Sequence, residues 1–395
     1  MTTKLRAASF QDGAVTTAKI AADAVTNAKI ADDAVQTENV ASTVNLGRRN
    51  IIINGAMQVA QRGTSFTSVA ASAYHLDRYR TGMGDTSARF TVTQATAGLN
   101  GFAKSLKYDC TTAESSLSNS DARLFVSYRI EGQDVQQLKK GTSDAEKITV
   151  SFYVKSTKTG TYILNIVDSD NNRQISKAYT ISSSGTWEQK ILTFDGDTTG
   201  ALTNDNNTSL QLNWWLIAGT GHSGGTLATS WQAYAGSSDY EDSAVGNVNL
   251  GDNTSNTWEI TGIQMEVGSQ ATPFEHRSFG EELALCQRYF CKTFQYSQAP
   301  AQNPTNKLNA ISGPAASNSA YDNILQWWMT VKLRAAPTIT TFNPYASNAN
   351  FSSSGSNGPT AGLYSSGENN VSIRDNAGGY QGVNLQIHAT ADAEL

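Results

Sequence analysis

Between Thr257 and Phe294 the hydrophobic period changes, so this stretch must join two kinds of element. Trp258, Ile260, Gly262, Gln264 and Glu266 alternate with Glu259, Thr261, Ile263, Met265 and Val267, the period-two pattern of a strand. Gly268 and Ser269 interrupt it. Pro273 bars its continuation inside a sheet, because proline has no amide to give the ladder. From Phe279 the spacing lengthens: Leu283, Leu285, Cys286, Tyr289 and Phe290 fall at helical intervals, which predicts about three turns of amphipathic helix. Glu281 and Glu282 sit in its first turn, where negative charge suits the helix dipole. The stretch reads as a seam, the last strand of one β domain tied to the first helix of another, with Leu283, Cys286 and Phe290 coupling the two.

Upstream of the seam the pattern stays β. Arg89–Gln94, Ser105–Tyr108, Leu124–Glu131, Ile148–Ser156, Tyr162–Asp168, Ser176–Ser182, Trp187–Phe194 and Leu210–Ile217 alternate or have strand composition. Turns rich in Asn, Asp and Gly separate them, such as Asp170-Asn171-Asn172 and Asp195-Gly196-Asp197. About nine or ten strands in this span predict a jelly-roll-like β-sandwich. Downstream, Asn323–Leu333 reads as a strand, and Val371–Arg374 with Gly382–Thr390 as a final strand pair, which predicts a small β tip. The fold class is therefore mainly β, divided into an N-terminal segment (1–46), a sandwich (47–278), and a linking helix with the tip (279–395).

Residues 12–41 repeat with period ten: Val15, Ile20, Val25, Ile30, Val35 and Val40 recur every fifth residue. Five is neither a helical nor a strand period. Val15 and Ile20 flank Thr16 as a hydrophobic staple flanks an N-cap, and Val25, Thr26 and Ile30 repeat the arrangement. Each unit predicts one capped helical turn, too short to stand alone. Its aliphatics need a partner, so the segment is read as an oligomerisation element rather than a low-complexity tail.

Several functions lack their usual signatures. The 395 residues carry a net charge of −5 and no basic block, so the electrostatic footprint of nucleic-acid binding is missing. No apolar run reaches the length of a membrane span, so no membrane insertion is expected. Met1–Phe10 has no apolar signal core, and synthesis in a cytoplasm is expected. Three cysteines do not make a disulfide framework; they are expected to be buried thiols. Asp168, Asp170, Asp195 and Asp197 fall short of a calcium loop and are read as turn residues. His75, His222, His276 and His388 lack zinc spacing. Neither a nucleophile elbow nor a P-loop is present. No metal, cofactor or catalytic residue is expected.

Asn50-Ile51-Ile52-Ile53-Asn54-Gly55, Gln61-Arg62-Gly63-Thr64-Ser65-Phe66, and Tyr74 with Asp77-Arg78-Tyr79 resemble the opening of a β-sandwich module of tailed-phage tail fibres and other virion structural proteins. Gly262 to Gly268, Ala271 to Glu275 and Gly280 to Tyr289 resemble its closing part, and Arg334-Ala335-Ala336-Pro337-Thr338 a motif after the helix. The decapeptide repeats look like those near the attachment end of such fibres. The resemblance implies a virion fibre with a sandwich like that of carbohydrate-binding modules. It also implies a homotrimer that joins other virion proteins through its N-terminal region and meets a host cell-surface glycan. In a trimer, Leu283, Cys286 and Phe290 would be the route to the threefold axis. A purely structural connector, baseplate or head fibre is one alternative, and a polysaccharide-degrading tailspike another.

Aromatic residues carry the binding expectation, since sugar rings stack their C–H faces on exposed aromatic surfaces. Leu210, Leu212, Trp214 and Leu216 share one strand face, which must be core; Trp215 takes the other, half-polar face. Trp231 lies in a Gly/Ser-rich region. Tyr345, Tyr364 and Tyr380 stand among Ser, Asn and Gly, a paratope-like composition. These five are the candidate glycan contacts, against core or subunit packing. Deletion of residues 12–41 is expected to abolish incorporation into particles while the rest still folds. Mutant protein recovered on purified virions would refute the attachment role.

Overall fold

Alternation in the first two-thirds of the chain resolves into thirteen strands among the described residues, which are 48–234 and 242–395 of a computed structural model. They are β1 (Ser65–Val69), β2 (Ala73–Leu76), β3 (Tyr79–Gly84), β4 (Arg89–Leu99), β5 (Phe102–Thr112) and β6 (Arg123–Glu131). There follow β7 (Ile148–Ser156), β8 (Gly160–Asp168), β9 (Arg173–Ile181), β10 (Glu188–Phe194), β11 (Thr208–Ala218), β12 (Gln232–Ala233) and β13 (Thr257–Val267). The repeat positions Val15, Ile20, Val25, Ile30, Val35 and Val40 lie outside the described residues.

The strands form two antiparallel sheets, β1-β4-β5-β13-β7-β10 and β12-β9-β8-β11-β6-β3-β2. Their inner faces close one hydrophobic core, as a sandwich requires. Phe152 of β7 meets Trp214 of β11 edge-on at 5.9 Å and Tyr179 of β9 at 5.2 Å, so aromatic rings bridge the sheets. Leu210, Leu212, Trp214 and Leu216 are all in this core, as alternation predicts. Ile217 joins them against the pattern, because a bulge between Trp215 and Ile217 shifts the register with β6.

β13 departs from its predicted alternation for the same reason. Its pairing with β7 slips between Thr261 and Gln264, where Gly262 takes φ +63°. A Cβ there would lie 2.8 Å from the Phe102 ring and 2.9 Å from that of Tyr153. The extra residue reverses the phase. Trp258 and Ile260 before it, and Ile263 and Met265 after it, all enter the core. Gln264 and Glu266 turn the other way and hold the following turn: Thr272 donates to Glu266 through its amide and hydroxyl, and Gln264 Nε2 donates to the Thr272 carbonyl at 3.1 Å.

Beyond the bulge, residues 50–55 lie against β13. Ile51 N donates to Met265 O and Ile263 N to Gly55 O, both at 3.0 Å. The approach is so close that a Cβ on Gly55 would sit 2.2 Å from the Ile263 carbonyl oxygen. The opening and closing motifs of the sequence are thus in direct contact.

The helix spans Phe279–Gln287, shorter than its spacing predicts. Ser278 caps it by accepting from Glu281 N. Phe290 belongs instead to β14 (Phe290–Lys292). Glu282 does more than complement the dipole: it is buried, accepts from Asn54 N at 2.6 Å and pairs with Arg277.

The tip follows as β15 (Ile311–Pro314), β16 (Ile324–Trp328), β17 (Thr338–Phe342), β18 (Ser352–Ser353), β19 (Ser356–Asn357), β20 (Ala361–Ser366), β21 (Asn370–Asp375) and β22 (Asn384–Asp392). β22 is central to one sheet and pairs with β14, β15, β17 and β18. β16-β21-β20 form a second, three-stranded sheet. The predicted final pair is therefore not a pair, since β21 and β22 belong to different sheets. β21 pairs with β16 and β20, whereas β22 pairs with β15 and β17, whose weak alternation hid them. Leu325, Phe351, Val371, Ile373, Leu385 and Ile387 fill a separate core between them.

Sandwich and tip belong to one compact unit, Asn50–Leu395. Their joint is a buried cluster of charges. Arg78, 1% exposed, pairs with Glu394, 3% exposed, and its guanidinium lies 3.4 Å from the Tyr289 ring centroid. Arg62 reaches Asp392 at 3.2 Å and Glu394 at 3.4 Å and lies 3.8 Å over Phe290. Asp77 accepts from Gln61 N and Nε2, and Gln61 Nε2 also donates to Phe290 O. Glu131 of β6 accepts from Tyr289 Oη and from Arg288 Nε and Nη2. Cys286 and Phe290 are buried within the chain here, and Leu283 is half-buried. Phe290 and Cys286 thus have no free surface to offer a threefold axis; packing between body and tip has taken it. Arg78→Ala, which removes the guanidinium paired with the buried Glu394 and leaves it only the longer ion pair with Arg62 at 3.4 Å, is expected to cost about 3–5 kcal/mol by urea denaturation. A loss under about 1 kcal/mol would show that the pair is dispensable.

Candidate functional site

The five aromatic candidates do not converge. Trp215 is 0% exposed: it packs on Phe125 (4.9 Å between centroids), Ile163 and Ala244, with His222 at 5.2 Å. The half-polar face that made it a candidate is covered. Its polar neighbours Gln211, Asn213 and Asn165 are buried and linked to one another, with Gln211 Nε2 donating to Asn213 Oδ1 at 2.7 Å. Trp231 is half-buried. Its indole N–H donates to Asp195 O at 2.7 Å, and Lys140 Nζ stands 5.1 Å from its ring centroid. Lys140 is itself held by Asp168 and by Asp197 at 2.9 Å, so the aspartates read as turn residues also neutralise a buried ammonium. Tyr380 packs against the tip core, and Tyr345 lies beside Lys307, 5.0 Å away. Tyr364 alone stands well out, 58% exposed.

The surface that remains is in the tip. In β16, Leu325 and Trp327 turn toward the tip core, so Ile324, Gln326 and Trp328 point outward. Trp328 is 66% exposed. Beside it opens a cleft of about 340 Å³. Trp327, Trp328 and Met329 line it, and Phe294 and Ile311 add apolar surface. Gln287, Thr293, Asn309 and Thr330 supply amides and hydroxyls. Such a mixture suits a ligand with an apolar face and polar edges.

The cleft's ionisable neighbours are engaged. Lys292 Nζ donates to the carbonyls of Gln61, Tyr296 and Gln298 at 2.7–2.8 Å, and burial pulls its ammonium down to about 8. Burial pushes the Cys291 thiol up to about 12, so it is an inert wall. Behind the wall His388 stacks on Phe294 at 4.1 Å and shares a hydrogen bond with Thr293 Oγ1; its Nε2 is buried without a partner. No group of metal-ligating residues occurs among the described residues.

The outer row continues along the three-stranded sheet. Ile324 faces Arg374 of β21, which faces Gly362 of β20. A register shift between Leu363 and Ser365 makes Tyr364 a bulged residue, and its ring lies 5.6 Å from the Arg374 guanidinium. Tyr321, 53% exposed, lies 4.8 Å from the same group. The adjacent Trp327-Trp328 pair carried the signal that could have found this face: neighbours on a strand point to opposite sides, so one had to point out.

The fold and this surface define a β-sandwich protein with an appended aromatic β tip. No family model and no curated protein matches the chain. Among solved structures, the enzymatically active domain of bacteriophage CBA120 tailspike protein 4 matches with a TM-score of 0.28 and 12% identity, over 55% of this chain and 21% of that one. The chain thus spans about a fifth of that domain. A putative sugar-binding protein from Bacteroides thetaiotaomicron matches with a TM-score of 0.29 and 13% identity, over 55% of this chain and all of that one. TmCBM61 in complex with β-1,4-galactotriose matches with a TM-score of 0.29 and 9% identity, over 56% and 99%. At such scores the likeness carries nothing about ligand.

His388 gives the tip a pH dependence. Burial holds its imidazole down at about 4, whereas in the unfolded chain it titrates near its ordinary 6.5. The unfolded chain therefore binds the extra proton first. Stability from this group is full above about 6.5 and falls as pH drops toward 4. NMR titration of the folded protein is expected to find this histidine neutral at pH 5.5; a protonated ring there would contradict the geometry.

Proposed function

We propose that the protein is a virion structural protein of a tailed bacteriophage, a tail fibre whose tip adheres to glycans on the host surface. The observation that carries the binding role is Trp328, two-thirds exposed beside a 340 Å³ cleft edged by amides and hydroxyls. The sugar's apolar face lies on the indole and its hydroxyls meet the polar rim. The virion assignment rests on the motifs at 50–79, 262–289 and 334–338 and on the N-terminal repeats.

In this reading the N-terminal segment docks on other virion proteins, the sandwich is the body, and the tip faces the cell. The protein is a homotrimer, so several weak tip sites act together through effective concentration. It binds glycan without cleaving it.

The test is glycan-array binding and calorimetry with the full chain, wild type against Trp328→Ala. Loss of one stacking platform is expected to weaken binding roughly tenfold, with an unchanged melting temperature. Absence of glycan binding in a protein firmly incorporated into particles would favour a purely structural connector. New reducing ends from host envelope glycan would make it an enzyme and sink the non-catalytic reading.

A further inference from the structure

Arg374 differs from nine other arginines of the described residues. Arg62, Arg78, Arg123, Arg173, Arg277 and Arg288 each meet a carboxylate. Arg89, Arg129 and Arg334 donate to backbone carbonyls. Arg374 has neither kind of partner among the described residues; its contacts are the rings of Tyr321 and Tyr364. Its Nε is shielded from solvent and makes no hydrogen bond. A guanidinium has five donors in a planar fork and is always charged. Here part of its hydration is removed, two aromatic rings fix its position, and no acid neutralises it.

The acids nearby are engaged elsewhere. Asp322 accepts from Ser317 Oγ at 2.8 Å. Asp375 is buried and accepts from Asn323 N and Nδ2. Glu368 pairs with Lys332 at 2.7 Å. On a chain of net charge −5, this face thus presents a cation that makes no ion pair among the described residues, set between two exposed tyrosines. Gln326 lies on the same outer row, and Trp328 lies four residues along from Ile324, roughly 13 Å at strand rise.

We propose that this face of the three-stranded sheet binds a carboxylate-bearing sugar, a uronic acid unit of a longer saccharide, with Arg374 as its anion receptor. The inference rests on the glycan-binding reading and names the ligand class. The carboxylate takes the terminal nitrogens of Arg374 as a planar two-point pair. Tyr321 and Tyr364 flank the pyranose, and the saccharide runs along Gln326 toward Trp328. A neutral sugar would leave the guanidinium half-desolvated and unpaired, so the site discriminates by charge.

The test uses the full chain and calorimetry with galacturonate and glucuronate oligosaccharides, each beside its carboxyl-reduced neutral counterpart. The acidic forms are expected to bind roughly tenfold more tightly or better, and to lose that advantage as salt rises. Arg374→Gln should erase the difference between acidic and neutral forms with the melting temperature unchanged, and Arg374→Lys should restore part of it. Equal binding of acidic and reduced forms, or an intact preference in Arg374→Gln, overturns the inference while glycan binding through Trp328 stands. A preference confined to sulfated or phosphorylated sugars overturns the carboxylate assignment. If no saccharide binds, both this inference and the glycan-binding reading fall.

Discussion

Two buried arginines hold the molecule to one arrangement. Arg62 and Arg78 lie on the sandwich side of the joint, and their acids, Asp392 and Glu394, lie at the end of the tip's central strand. Charges out of water are tolerable only when paired, so body and tip can close dry only in the arrangement that pairs them. The rings of Phe290 and Tyr289 cover the guanidinium faces, and Glu131 fixes Tyr289 and Arg288 from the other side. The joint is therefore a mutual surface rather than a linker. It fixes the orientation in which the tip presents Trp328.

The sequence motifs that bracket the sandwich make physical sense at this joint. Gln61-Arg62 and Asp77-Arg78 supply its body side, and Arg288-Tyr289 its tip side. Arg334, from the motif after the helix, donates to the carbonyls of Ala393 and Glu394 and to that of Asn206. Asn50 and Gly55 meet the closing strand. What looked like a set of scattered signatures is one interlocking contact.

Local pattern and long-range chemistry were unequally legible. Strands such as Ile148–Ser156 could be read to the residue, because alternation is a local property. The phase reversal in β13 could not, since Gly262 reads as a small residue in a strand until Phe102 and Tyr153 are seen against it. Trp215 misled for a related reason. A polar-looking face is normally wet, but here Ala244 and its neighbours cover it. Among the tip residues, the exposure of Tyr364 was legible from its surroundings of Ser and Gly, whereas the setting of Arg374 was not. Its distinction is a missing partner, and only the placement of every other acid reveals that.

The Arg78–Glu394 pair spans 316 positions of sequence. During translation the body's arginines emerge long before the acid that neutralises them. Until then, Arg78 on the surface that will receive the tip lacks its acid, and burying it dry against an earlier segment would be costly. The body–tip interface is thus completed only by the last strand of the tip, a contact of very long sequence separation.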